Sequence, residues 1–517
     1  MQAMSLPDQS RLAGGVLPFG GRAAAVLSPR DAAMLAEQAL AHGGEERVVE
    51  QVAAAARRAG SDPRLWQWTA LLHRALDDRR SALNAFATAA RLAPNDVRIA
   101  HGLAQCRYEA GLPSLEQFDA ALALAPFDGG LLLGRAAALF SAGEAARACD
   151  SLAQVLAQEP RWIDGQRELA HLLWLRGAGA NAFAPLRRSI AAQPAEPAKW
   201  QLLLELLLQA KRYDDVLRTV SAARASLGDQ PFVRASELAA RAERGSLSAD
   251  AEAFSTPEAA SDSVMAVYHL RNLLRHGRVD HAARVIEPWL ERPQSASFYP
   301  YSSLVWRLTG DPRHDWLDAQ AGLVQQHDLS KVLPLDRLAA FLRDRHHAGG
   351  PHLNQSVNGG TQTEGMLLAR IDPEIEQLRE EIRACVRRYI DALPPADTRH
   401  PLLGSPRQTR PRFAGSWSVR LRGGGHHSSH VHPAGWISSA LYINLPERTA
   451  DEPAHAGWLA IGAPPAELGL DLAPTAMIEP QPGKLVLFPS TTWHGTMPFA
   501  SGERLTVAFD IAYPAAP

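Results

Sequence analysis

Two histidines one residue apart, His430 and His432, stand in the run GGGHHSSHVHP (residues 423–433). A third, His494, follows 64 residues later in PSTTWHGTMPF. Residues i and i+2 of an extended strand project from one face, so His430 and His432 present two imidazoles side by side. Three neutral imidazoles brought together would hold a divalent first-row metal and leave coordination positions open. Arg504 stands ten residues past His494 and opens the final strand, sharing a face with Thr506 opposite Leu505 and Val507. His426 and His427 are adjacent and point to opposite faces, so structural roles are expected for both.

Such residues need rigid strands to hold them. Phe413, Trp417, Val419 and Leu421 alternate with polar neighbours from Arg412 onward, the period of a half-buried strand. Further strands are expected at Ile437–Leu445, Trp458–Gly462, Lys484–Phe488 and Leu505–Ile511, with a turn at Pro482-Gly483. One helix precedes them: Asp372 as N-cap, Pro373 at the first position, then Ile375, Leu378, Ile382, Val386 and Tyr389 on one face. Short strands with covering helices suggest a sandwich or jelly-roll barrel.

The first half has a different texture. Breaks at Pro94, Pro126, Pro160 and Pro194 are 32, 34 and 34 residues apart. Turns at Gly111, Gly143 and Gly177 keep the same register, each preceded by three residues by an aromatic: Tyr108, Phe140 and Trp174. The aromatic packs between two helices, glycine turns the chain, and proline stops the second helix. This spacing resembles the tetratricopeptide repeat, whose stacked units present a groove that binds peptides or proteins. Beyond Ala251 the pattern drifts. A helix pair turning at Gly277 and helices at Tyr301–Leu308 and Trp316–His327 are expected as a degenerate end of the array.

Composition excludes several classes. A net charge of −2 leaves no electrostatic footprint for nucleic acid or an anionic membrane. Cys106, Cys149 and Cys385 lie far apart, against a disulfide framework or a cysteine zinc site. No stretch reaches the roughly 20 apolar residues of a membrane helix, and a cytoplasmic location is the expectation.

The blocks HVHP, ISSALYINLP, PGKLVLFPSTTWHGTMPF and ERLTVAFD, in that order, resemble the iron(II)/2-oxoglutarate-dependent oxygenases fused behind tetratricopeptide repeats. The resemblance extends from about Asn354 to Ile511 and includes GGTQTEGMLL and GSWSVRLRGGG. It implies an all-α solenoid followed by a double-stranded β-helix (jelly-roll) with covering helices. The expected units are a tail over residues 1–30, the repeats over 31–245, degenerate repeats over 246–334 and the barrel over 335–517. It further implies His430 and His494 as iron ligands, Arg504 and Thr506 as anchor for the far carboxylate of 2-oxoglutarate, and Tyr442 on that co-substrate. The implied reaction converts 2-oxoglutarate and O2 to succinate and CO2 while hydroxylating a substrate, here expected to be a protein or peptide client of the solenoid. One position departs from the family: His432 stands where it has Asp or Glu, which makes the site one charge more positive. Three-histidine sites occur in cupin-type dioxygenases that do without 2-oxoglutarate. That reading, and a non-catalytic adaptor with a degenerate barrel, are the alternatives; Arg504 discriminates against the first, and the intact set of His430, His494 and Arg504 against the second.

Overall fold

The computed structural model of the chain describes residues 27–408, 410–449 and 451–514; most of the tail assigned to 1–30 lies outside them. Helices dominate up to Asp318. Seven of them have 13 residues each: Pro63–Ala75, Val97–Glu109, Gly129–Ser141, Ile163–Leu175, Pro197–Gln209, Pro231–Glu243 and Ser263–Arg275. Each ends two residues before a positive φ, at Asp77, Gly111, Gly143, Gly177, Lys211, Gly245 and Gly277. These turns are 34, 32, 34, 34, 34 and 32 residues apart, so the helical repeat runs in one register well past the three glycines that announce it. The unit after Gly245 has lost its regular second helix and keeps short pieces at Glu252–Phe254 and Pro257–Ser261.

Neighbouring units interlock. A Cβ on Gly102 would lie 2.4 Å from the Phe86 ring, and one on Gly134 would lie 2.3 Å from Phe118, so each glycine leaves the socket that the preceding unit's phenylalanine fills. Arg167 pairs with Glu205 (2.7 Å) and Arg271 with Glu243 (2.5 Å) between successive units.

The C-terminal domain is antiparallel throughout. Its strands are β1 (Gln325–Asp328), β2 (Val357–Gln362), β3 (Phe413–His427), β4 (Gly435–Asn444), β5 (Leu459–Ile461), β6 (Ala476–Ile478), β7 (Lys484–Pro489), β8 (His494–Thr496) and β9 (Glu503–Ala512). A six-stranded sheet runs β1-β7-β4-β9-β3-β2 and a three-stranded sheet runs β6-β5-β8. Together they make the jelly-roll. Helix Pro373–Asp391 covers the large sheet, burying Ile375, Leu378, Ile382, Val386 and Tyr389 in its core. Asp372 is its N-cap residue, yet its carboxylate accepts from Arg370 Nε (2.8 Å) and makes no cap bond.

One expectation fails here. The helix anticipated over Trp316–His327 stops at Asp318, and Gln325–Asp328 is a strand on the edge of the large sheet. Its polar residues carry no strand signal of their own; pairing with β7 and burial of Leu323 and Leu329 on either side decide its conformation.

The two halves form one body through a strap between the helix Leu335–Arg343 and β2. The strap crosses the turn edge of the repeats, where helix C-termini leave carbonyls without partners. Gly349 N donates to Leu175 O (2.6 Å) and Asn354 N to Gln209 O (3.2 Å). Trp174 Nε1 donates to Pro351 O (3.0 Å), and further on Ile371 N donates to Ala110 O (3.0 Å). At the far end of the array, Leu270, Trp289, Phe298 and Tyr301 share a core with Leu468 and Trp493 of the barrel. Among the described residues no helix is long and apolar enough to cross a membrane.

Candidate metal centre

His430 and His494 sit directly opposite each other across an isolated antiparallel bridge, exchanging both backbone hydrogen bonds (2.9 and 3.0 Å). Opposed residues of such a pair put their side chains on the same face. His432, two residues on, shares that face and is held by its backbone N–H to Ser490 O (2.9 Å). One ring nitrogen from each of the three lies within 4.8 Å of the other two.

The second nitrogen of each ring is committed. Nδ1 of His430 meets Ser428 O (2.8 Å), Nδ1 of His494 meets Thr492 O (3.0 Å), and Nδ1 of His432 meets Asp510 Oδ2 (2.6 Å). All three partners are acceptors, so each ring carries its proton on Nδ1 and leaves Nε2 with a lone pair. That is the tautomer a metal needs. Trp417 stacks on His432 (centroids 5.9 Å, 17°) and Phe488 packs on His494 (4.7 Å), which fixes the ring planes. Burial holds His430 neutral, with its pKa pulled down to about 3, and His494 well below its usual value. For His432 burial acts the same way, but the Asp510 carboxylate outweighs it and the net shift is upward.

The same pocket is lined by Arg504 and Thr506 from β9, by Gln355 and Ser356 from the end of the strap and by Val357 at the start of β2. Arg504 is 3% exposed, with Nη1 donating to Gly457 O (2.8 Å) and Nε without any hydrogen-bond partner. No carboxylate pairs with it among the described residues. Burial pulls its pKa down, but a guanidinium keeps its proton. Tyr442, cross-strand partner of Thr506, lies under Arg504 with its hydroxyl buried and unpartnered.

All six residues singled out in the sequence thus gather in one region. His426 does not line this pocket, and its Nδ1 lies 3.3 Å from Gly424 O. His427 differs from expectation: it lines the pocket, with Nδ1 3.0 Å from Ser356 Oγ, which also lies 3.2 Å from His430 Nε2. Asp510 is a further residue of the site, and the signal for it in the sequence is the alternating face it shares with Arg504 and Thr506. Ser356 had no local signal, because the strap places it.

Residues 415–510 match the profile of a family described as "Putative 2OG-Fe(II) oxygenase". The C-terminal domain belongs to that family. No curated protein matches the chain. Among solved structures, a prolyl-4-hydroxylase of Pseudomonas putida is 21% identical, covering 37% of this chain and 93% of its own, with a TM-score of 0.26. A thermophilic TPR protein of Thermus thermophilus is 20% identical over 38% of this chain and 98% of its own (TM-score 0.26). A tetratricopeptide repeat protein from Parabacteroides merdae is 14% identical over 40% and 82% (TM-score 0.30). The oxygenase domain carries its convergent histidines and its buried arginine within or beside the matched segment.

Proposed function

We propose that this protein is an iron(II)- and 2-oxoglutarate-dependent hydroxylase whose client is a protein or peptide recruited through the repeats. The observation that carries the reading is Arg504, a buried guanidinium with no counter-ion among the described residues, in the pocket of three convergent imidazoles. Burying an unpaired charge costs several kcal/mol, and a dicarboxylate co-substrate would relieve that cost through a forked, charge-assisted pair. His430, His432 and His494 would hold the iron by Nε2. Arg504 would anchor the far carboxylate of 2-oxoglutarate, with Thr506 beside it and the free Tyr442 hydroxyl completing the anchor. Iron with 2-oxoglutarate supplies O2-dependent hydroxylation of a C–H bond, with succinate and CO2 as co-products.

The chain's own residues then do three things. The Nδ1 acceptors orient the imidazoles, the walls of Trp417, Val419 and Leu459 limit water, and the strap closes one side with Ser356. Client recruitment rests on the helical repeats, whose turn edge is already engaged by the strap, leaving their other surfaces to a partner. The three-histidine dioxygenase without 2-oxoglutarate offers no account of Arg504, and the adaptor reading none of the convergent imidazoles.

The deciding experiment loads the full chain with Fe(II) under anaerobic conditions and adds 2-oxoglutarate. A visible charge-transfer band, absent from His430→Ala, is the expected result. Iron binding without any 2-oxoglutarate band would favour the three-histidine dioxygenase.

A further inference from the structure

A divalent ion held by three neutral imidazoles, with Arg504 in the same pocket, would be a large concentration of uncompensated positive charge in a buried space. The family's usual Asp or Glu at position 432 would offset part of it, and His432 does not. The chain has placed a carboxylate one bond further out. Asp510 Oδ2 accepts from His432 Nδ1 at 2.6 Å, and its other oxygen, Oδ1, accepts from Ser438 Oγ, also at 2.6 Å. Ser438 Oγ in turn lies 2.9 Å from Ser490 Oγ, and Ser490 O receives the backbone N–H of His432. Space is kept for this arrangement: a Cβ on Gly435 would come within 2.7 Å of Ser490 Oγ and 3.2 Å of Asp510 Cβ. Among the described residues, Asp510 is the only carboxylate in hydrogen-bond contact with any of the three imidazoles.

We propose that Asp510 is the displaced carboxylate of this centre, a positioning residue that turns His432 Nε2 towards the metal and supplies, through the imidazole, the negative charge that a direct carboxylate ligand would bring. The proposal rests on the three-histidine reading of the site. Its physical basis is general: a carboxylate hydrogen-bonded to a ligating imidazole fixes the tautomer, raises the basicity of the ligand and typically changes metal affinity 10–100-fold. The other two imidazoles rest on neutral backbone carbonyls, so among the three only His432 is backed by a carboxylate. The ligand set is then three neutral rings, but the buried unit that the metal meets is anionic.

The test is Co(II) titration of the apo full-length chain, read by calorimetry and by the visible d–d bands, with a thermal melt of each variant. Asp510→Asn keeps the shape and an amide oxygen facing Nδ1, while its amide nitrogen donates to Ser438 Oγ, so orientation is retained and charge is lost. The expected result is a Co(II) Kd weaker by roughly 10–100-fold at an unchanged melting temperature, and a further loss in Asp510→Ala. Adding His432→Asp to Asp510→Asn moves the carboxylate to the ligand position and should recover affinity. Loss of Co(II) binding in His430→Ala with wild-type affinity in Asp510→Asn would overturn the role of Asp510 alone. Wild-type affinity in both would overturn the metal centre itself.

Discussion

Arg504 lies with its guanidinium carbon 5.0 Å from the centroid of the Tyr442 ring, and this aromatic face takes the place of a counter-ion. A charge so poorly compensated makes opposite predictions for stability and for binding. Arg504→Met removes a buried charge and its desolvation cost from the apo protein, at the loss of the bond to Gly457 O, so its melting temperature should be unchanged or higher. The same change leaves the far carboxylate of 2-oxoglutarate unpaired, a loss on the order of 2–5 kcal/mol, or a Kd raised about thirty-fold or more. A melt and a 2-oxoglutarate titration of one variant check both signs. Arg504→Lys should fall between, keeping the charge and losing the fork.

Metal should stabilise the fold through the oxygenase domain. Co(II) at 100 times its Kd adds about 2.7 kcal/mol to a site that binds only the folded state. His430→Ala and His494→Ala should abolish that increment, because the two residues face each other across one bridge and neither can be replaced by a neighbour. His427→Ala should preserve it, since His427 stands outside the cluster. A chelator should return the wild-type melting temperature to that of His430→Ala. A metal-dependent shift surviving in His494→Ala would remove that residue from the ligand set.

Two physical rules make much of this legible from residues alone. The two-residue period put His430 and His432 on one face, and it would equally have put Asp510 with Arg504 and Thr506. The repeat was visible where glycine takes the left-handed turn, at Gly111, Gly143 and Gly177. It was hidden at Asp77 and Lys211, which adopt φ of 58° and 54° without being glycine, so the array is longer than its marker. What stayed illegible is what tertiary pairing decides. The strand Gln325–Asp328 reads as polar chain until β7 pairs with it, and Ser356 reaches the pocket only because carbonyls of the repeats hold the strap.

Acid should weaken the protein through histidines buried neutral. His346 sits between Thr361 Oγ1 (2.8 Å) and Ser418 Oγ (3.2 Å), and burial, helped by Arg420, pulls its pKa down to about 4. His269, stacked on Phe254, is pulled down to about 4 by burial and by His281. The unfolded chain titrates near 6.5, so between there and 4 it binds protons that the fold refuses, and stability rises with pH across that window. For the more deeply buried His346 this removes about 2 kcal/mol at pH 5 relative to pH 8, and for the more exposed His269 less. Denaturant unfolding at the two pH values measures the loss, and His346→Gln should shrink it by a comparable amount. An unchanged pH dependence in that variant would mean that His346 is not held neutral.

The last prediction concerns where the oxygenase domain can be cut. A fragment beginning at Leu335 holds every proposed ligand, yet it lacks β1 and the buried side chains of Leu323, Leu329 and Leu333, which belong to the core beneath helix Pro373–Asp391. Tyr389 Oη donates to Leu323 O (2.7 Å), and Leu329 N donates to Gly483 O (2.8 Å). Losing three buried leucines forfeits about 1.5–3 kcal/mol each and bares the β7 edge to pairing with other chains. Cutting there also uncovers Trp493, whose Nε1 donates to Pro300 O (2.8 Å) and whose ring meets Tyr301 edge-on. The 335–517 fragment should therefore aggregate or melt without cooperativity, whereas one beginning near Phe298 keeps β1, the three leucines and the Tyr301 contact. Light scattering and thermal melts of the two fragments side by side decide it. A monomeric, cooperatively melting 335–517 fragment would show that the edge strand and the helices before it are dispensable.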